Sequence, residues 1–479
     1  MGPMSLDDLA AQVAWDLEAL AHGGASWTRP RAPVDGEPVH DVVIVGGGQS
    51  GLGAAFGLMR ERVSNILVID ENPAGYEGPW DTYARMVTLR TPKAITSIDL
   101  GIPSLTFRAY WEAQHGPAGW EAVGKIPRRD WMAYLRWYRQ VLGIPVRNET
   151  RLDRIEPQAG GVHVLQVSGP GAPASGRIVA RKVVLATGIQ GGGEWHTPGF
   201  IRDALPKSRY AHTSEPIDYE ALKGKRVAIL GGGASAFDNA QHALSLGVAA
   251  AEVFIRRREM PRVNPIRHME QAGLIGRYTA LDDAGKYAVM VSFLDRNQPP
   301  TNDTFDRAAA YPGFALHLGA PWESVEETAE GVVVTTPQGR FTYDFLVLST
   351  GLVSDPALRP ELALVADDIA RWSDRYVPDG RGNALADAHP YLGQGFQFTA
   401  RSEAGVARLH GLFAFNYSAL ISLGLSAAAL SGLKQAIPKL VTGVANQLFL
   451  DDEQAMLQDY LDYSEIEFTG QWVRPEAGA

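Results

Sequence analysis

At 479 residues the chain exceeds one ordinary hydrophobic core, so two or more domains are expected. Its 45% hydrophobic and 20% charged residues fit a globular protein, and a formal charge of −10 argues against a nucleic-acid partner. It has no cysteine, which removes thiolate nucleophiles, redox disulfides, iron–sulfur clusters and thiolate zinc sites.

Residues 5–22 read as an amphipathic helix. Ser5 and Asp8 form a capping signal, Leu6, Leu9, Val13, Leu17 and Leu20 recur at helical spacing, and Gly23–Gly24 stop it. The helix either packs on the body of the chain or bridges a homodimer. The N-terminus lacks the basic flank and apolar core of a secretory signal, so a cytoplasmic location is expected.

An apolar run then leads into DVVIVGGGQSG, with Gly46, Gly48 and Gly51 at dinucleotide-fingerprint spacing. Gly46 allows the tight turn, Gly48 lets backbone approach a pyrophosphate, and Gly51 lets helix and sheet pack closely. Gln49 and Ser50 lie in the turn. The next apolar run, NILVID, ends on Asp70, 19 residues past Gly51, where a carboxylate accepts hydrogen bonds from ribose hydroxyls. Glu71 is the competing acid and is expected to face solvent. The tryptophans at 111, 120, 131 and 137 read either as core or as a substrate entrance.

The second turn reads RVAILGGGASA, with Gly231, Gly233, Ser235 and Ala236. Its following run, AEVFIRRRE, ends on Arg256, Arg257 and Arg258. Gly231 to Arg256 spans 25 residues and Gly46 to Asp70 spans 24, so the strand ends correspond. Guanidinium groups there hold a 2′-phosphate, with Arg256 and Arg257 preferred. Each unit also has a later apolar strand ending in Thr-Gly: VVLATG with Thr187, and FLVLSTG at 345–351. The expected class is α/β, with two Rossmann-like dinucleotide-binding domains, the second inserted in the first. The divisions are 1–38 for the helix and linker, 39–216 plus 349–479 for the first domain, and 217–348 for the second. The most apolar stretch, residues 420–433, is too short to cross a bilayer and reads as a buried helix. The histidines show no metal-binding pattern, so no metal is expected.

The paired fingerprints, the EGPW segment, the two Thr-Gly strands and a histidine before the second fingerprint resemble the flavin-containing monooxygenase superfamily. That group includes Baeyer–Villiger and N-hydroxylating enzymes. The resemblance spans roughly residues 40–430 as an order of elements. It implies FAD in the first site and NADPH in the second. It places Gly78, Pro79 and Trp80 near the flavin ring, the Leu152 backbone at the adenine and Thr187 at the diphosphate. Residues 88–97 then pass the flavin, making Arg90, Thr91 and Lys93 candidates to contact the ring or an anionic intermediate, and Asn416 a candidate to face the pocket. His212 is the one surviving position of the histidine motif that precedes the NADP strand in many relatives, and its HTS setting is nearer to that of the N-hydroxylating members. By this resemblance NADPH reduces the flavin, dioxygen forms a C4a-hydroperoxyflavin, and one oxygen atom enters a small organic substrate. The alternatives are an NADPH reductase or oxidase without oxygen insertion, and a redox-sensing flavoprotein.

Overall fold

The computed structural model describes residues 4–296 and 298–474. The N-terminal helix α1 runs Leu6–Ala19, with the Ser5–Asp8 capping box formed in both directions. It buries Leu9 and Val13 against the first domain, with Leu6 and Leu17 packed beside them, while Leu20 stays exposed.

The first nucleotide unit is built on β1 (Val39–Val45), β2 (Ile66–Ile69), β3 (Val146–Arg147), β4 (Arg151–Gln158), β5 (Val162–Ser168) and β6 (Arg177–Leu185), in the order β3-β2-β1-β6-β5-β4. The β1–β2 and β1–β6 pairs are parallel, with Val43 opposite both Leu67 and Val183. The two 150s–160s strands extend this sheet as an antiparallel hairpin on its edge. Helix α2 (Gln49–Arg60) leaves the first glycine turn, and α3 (Phe107–Ala122) and α4 (Arg128–Val141) pack an aromatic core on the sheet.

The chain crosses between units through β7 (Gly193–Trp195), a short helix α5 (Gly199–Ala204) and β8 (Tyr210–His212). The second sheet adds β9 (Arg226–Leu230), β10 (Ala250–Ile255) and β11 (Phe314–Leu318), with helix α6 (Ala234–Ser245) after its glycine turn. A separate meander follows: β12 (Ser324–Thr328), β13 (Gly331–Thr336) and β14 (Gly339–Tyr343). Next, β15 (Phe345–Leu348) returns beside β9, giving the all-parallel order β11-β10-β9-β15-β8. Thus 210–212 belongs to the second sheet, ahead of the division expected at 217. The return crossing, β16 (Leu352–Ser354), pairs antiparallel with β7, so both inter-unit crossings form one ribbon. Finally β17 (Leu412–Ala414) adds a strand beside β6 in the first sheet.

The expected helix at 420–433 is not one helix. It is a four-residue helix at Leu420–Leu423 followed by 3-10 turns, because Gly424 adopts φ +75°; the long helix is Leu433–Leu450. Its far end is held by buried charge: Arg181 bonds Asp41 at 3.0 Å and Asp452 at 2.8 Å, and Lys182 reaches Asp451 at 2.8 Å. No helix among the described residues is long and apolar enough to cross a membrane.

Three buried histidines set an acid limit. Burial pushes His163, His212 and His389 each down to about 4. Such a group is neutral in the fold and protonates more readily unfolded, so its stabilisation is complete above the ordinary histidine value and is lost as pH falls toward the folded value. The melting temperature should therefore be level above about pH 7 and fall steadily from about pH 6.5 to 4. A melting temperature unchanged between pH 7 and 5 contradicts this.

Candidate active site

Each glycine turn is closed by a carbonyl from the returning strand. Gly46 has φ +110°, and a Cβ on it would stand 2.4 Å from the Ala186 carbonyl oxygen. Gly231 has φ +127°, and its Cβ would stand 2.2 Å from the Ser349 carbonyl oxygen. The Thr-Gly signature therefore marks the residues that press on the partner turn. At Gly51 a Cβ would lie 1.8 Å from the Gly46 carbonyl, so no side chain fits the start of α2.

These turns leave two helix N-termini without side-chain caps, with Gly48 before α2 and Gly233 before α6. Their first-turn N–H groups suit pyrophosphate oxygens. A cavity of about 770 Å³ opens at the C-terminal ends of β1, β2 and β6 and extends to α6 of the second unit. This is where a doubly wound sheet reverses strand order and takes its ligand.

The structure brings many of the sequence candidates to this cavity. Gly46, Gly48, Gln49, Ser50, Asp70, Trp80, Arg90, Thr91, Leu152 and Thr187 all line it, with Gly78 and Pro79. Gln49 is fixed by the indole N–H of Trp131, which donates to Oε1 at 3.0 Å. Asp70 is buried, and its carboxylate accepts from the Gly47 N–H at 2.7 Å and the Asn72 N–H at 2.8 Å. Burial raises its pKa, and those backbone N–H groups work against the rise. Glu71 lines the cavity as well, on its exposed rim. The loop carrying Trp80 is anchored by buried Glu77, which accepts from Arg139 and from Asn148 Nδ2, both at 2.6 Å. The Trp80 indole N–H is buried and has no partner among the described residues, a donor suited to an acceptor on a bound ring.

Other candidates lie elsewhere. The Lys93 ammonium is consumed by the Trp120 and Val123 carbonyls, the latter at 2.8 Å, and sits 4.5 Å from the Trp120 ring centroid. It does not reach the cavity. Asn416 is buried behind it: Nδ2 donates to the Leu185 carbonyl and to Thr187 Oγ1, each at 3.2 Å, while Oδ1 accepts from the Ser418 N–H at 3.0 Å. With every amide atom engaged, Asn416 ties the Thr187 turn to β17 and offers nothing to a ligand. His212 is buried and stacked on Trp195 at 4.9 Å, and its Nδ1 accepts from the Ser214 N–H at 3.2 Å. The proton is thus on Nε2, and only the neighbours Thr213 and Ser214 line the cavity. The tryptophans at 111, 120, 131 and 137 form core with Phe107, Tyr110 and Tyr134, and none lines the cavity.

In the second unit only Ser235 of the fingerprint lines the cavity; Gly231, Gly233 and the buried Ala236 form the turn and packing behind it. The arginines divide. Arg257 donates to the Asp295 carbonyl at 2.6 Å and the Arg296 carbonyl at 3.3 Å, capping the C-terminus of helix Asp283–Arg296. Arg256 is exposed directly after β10, with no side-chain hydrogen bond or ion pair among the described residues.

Sequence reasoning missed Asp238. It is buried on α6, lines the cavity and forms an ion pair with Arg90 from the first unit. Burial raises its pKa and the Arg90 charge opposes that rise. The available signal was the one charged side chain in the run ASAFDNA. Arg359 and Glu361, paired at 2.9 Å on the cavity wall, carry no motif at all. No group of three or more histidine, aspartate or glutamate side chains among the described residues is placed to hold a metal.

A family model described as FAD-NAD(P)-binding matches residues 43–190, and one described as L-lysine 6-monooxygenase/L-ornithine 5-monooxygenase matches residues 121–270. Among solved structures, ornithine hydroxylase from Pseudomonas aeruginosa aligns with TM-score 0.69 at 19% identity, covering 86% of this chain and 100% of that one. L-lysine 6-monooxygenase from Pseudomonas syringae aligns with TM-score 0.64 at 16% identity, covering 85% and 99%. At these identities the likeness is one of fold. A FAD-dependent urate hydroxylase of Xanthomonas campestris pv. campestris is 65% identical over 474 residues, 98% of this chain and 99% of that protein. With both glycine turns, the shared cavity and this identity along nearly its whole length, the chain belongs to the flavin-containing monooxygenase superfamily of FAD-dependent, NAD(P)-binding enzymes.

Proposed function

We propose that the chain hydroxylates urate, using FAD in the first unit and NADPH in the second. The observation that carries this reading is the single cavity bordered by both nucleotide units, combined with the 65% identity to a urate hydroxylase. Bound FAD supplies the redox chemistry, taking two electrons from NADPH and activating dioxygen, so that one oxygen atom enters the substrate and the other leaves as water.

The residues have complementary tasks. The α2 N-terminus, with Ser50, holds the FAD pyrophosphate, and Asp70 orders the glycine turn through Gly47 while facing the ribose. Trp80 offers its free indole N–H toward the flavin ring. Ser235 and the α6 N-terminus receive the NADPH pyrophosphate, and Arg256 takes the 2′-phosphate. His212 keeps Thr213 and Ser214 at the wall through its stacking on Trp195. No side chain here has to act as a strong general base. A reaction drawing on NADPH fits a cytoplasmic location.

Turnover with isotopically labelled dioxygen tests the reaction. One labelled oxygen atom in the product and one NADPH consumed per urate are expected; NADPH oxidation to peroxide with urate unchanged overturns the reading. A second measurement separates the arginines. Arg256→Ala should raise KM for NADPH about tenfold or more and leave KM for NADH nearly unchanged. Arg257→Ala should lower the melting temperature and alter the NADPH-to-NADH preference little. Equal losses with both nucleotides in Arg256→Ala would remove the 2′-phosphate role.

A further inference from the structure

The cavity wall contains an ionic contact that the nucleotide sites do not require. Arg90 stands on the loop after the Trp80 turn, and Asp238 stands one turn into α6 of the other unit. Asp238 is 5% exposed, and Arg90 is its hydrogen-bond partner. A buried carboxylate beside a cavity that takes two pyrophosphates is electrostatically adverse. Its presence makes sense through the cation it holds.

Arg90 is only partly used by this contact. Nη2 bonds Asp238, while Nε–H is buried and has no partner among the described residues. Among the described residues lining the cavity, Arg90 and Trp80 alone leave a buried side-chain polar atom unpaired. Both are donors, so both await an acceptor from a ligand. Trp80 is neutral and suits a ring carbonyl. Arg90 carries a fixed charge and a planar fork, which suits a planar, delocalised anion. Urate is such an anion at neutral pH.

We propose that Arg90 is the contact for the substrate's negative charge and that Asp238 is its positioning residue, so that the cavity selects planar heterocyclic anions. This rests on the urate reading and extends it to the groups that recognise the substrate. It also makes the substrate site a product of both units: the cation comes from the flavin side and its orienting carboxylate from the nicotinamide side. An anionic substrate then binds where a partly buried charge pair already exists, and Asp238 balances the guanidinium charge when the cavity is empty.

The test uses FAD-loaded Arg90→Gln, Arg90→Lys and Asp238→Asn proteins. Urate affinity is read by calorimetric titration, and KM by steady-state NADPH consumption. Arg90→Gln should weaken urate about tenfold to a hundredfold. Arg90→Lys, which keeps the charge, should bind urate at least about threefold more tightly than Arg90→Gln. FAD content and the flavin spectrum should match the parent in both. Asp238→Asn should weaken urate about threefold to tenfold and change KM for NADPH by less than about twofold. Equal affinities in the Lys and Gln variants, or a changed flavin spectrum in both, would overturn the assignment of Arg90. A rise in KM for NADPH in Asp238→Asn matching the loss in urate affinity would place Asp238 in the nicotinamide site and overturn its role. A parent protein that binds urate but returns it unoxidised would end the hydroxylase reading and leave this assignment standing. A parent that oxidises urate but whose affinity is untouched by Arg90→Gln would do the reverse.

Discussion

Everything at the junction depends on two close backbone approaches. The carbonyls of Ala186 and Ser349 press so tightly on Gly46 and Gly231 that neither turn admits a Cβ. That closeness keeps each returning strand beside the first strand of its unit and aims each following helix, uncapped, at the shared cavity. A backbone donor array facing a cavity is a fixed electrostatic resource: it needs no side-chain reorganisation when a phosphate arrives. The same arrangement, made twice in one chain, brings two nucleotide-binding folds to face one space.

What distinguishes the two folds is the charge at the end of the second strand of each unit. Asp70 is drawn inward, bonding the Gly47 N–H, and helps shape the turn as well as the cavity wall. Arg256 points to solvent at the corresponding place, while its neighbour Arg257 is committed to capping a helix. Adjacent residues of one type thus carry different burdens, because a strand end turns successive side chains to opposite sides. The units are further joined by the β7–β16 ribbon, by Arg90–Asp238 and by a Lys125–Asp303 pair. The half-exposed Lys125–Asp303 pair adds little to stability, whereas the Arg90–Asp238 pair, with its carboxylate buried and its guanidinium partly so, costs desolvation and is more informative about function.

Several sequence candidates proved to support the site from outside it. Asn416 has every amide atom bonded, Lys93 is held by two carbonyls, and His212 is stacked and buried. Their residue types suited chemistry, but chemistry needs a free polar atom at the cavity, and hydrogen-bond partners far away in sequence decide that. The tryptophan cluster followed the same logic, closing as core around Phe107. The run at 420–433 misled because apolarity alone does not distinguish a helix from a chain of short turns, and the left-handed Gly424 breaks it.

The amino-acid order alone determined the doubled nucleotide fold, the capped first helix and the opposite charges at the two strand ends. Glycine spacing, apolar periodicity and caps act over a few residues, so they are written locally. Only the tertiary structure decided which polar groups meet at the cavity. Arg90 and Asp238 lie 148 residues apart, and their contact exists because two separately folded sheets are set face to face by a paired crossing. No local pattern encodes that approach, since its energy comes from packing and desolvation between distant segments rather than from the propensities of either one.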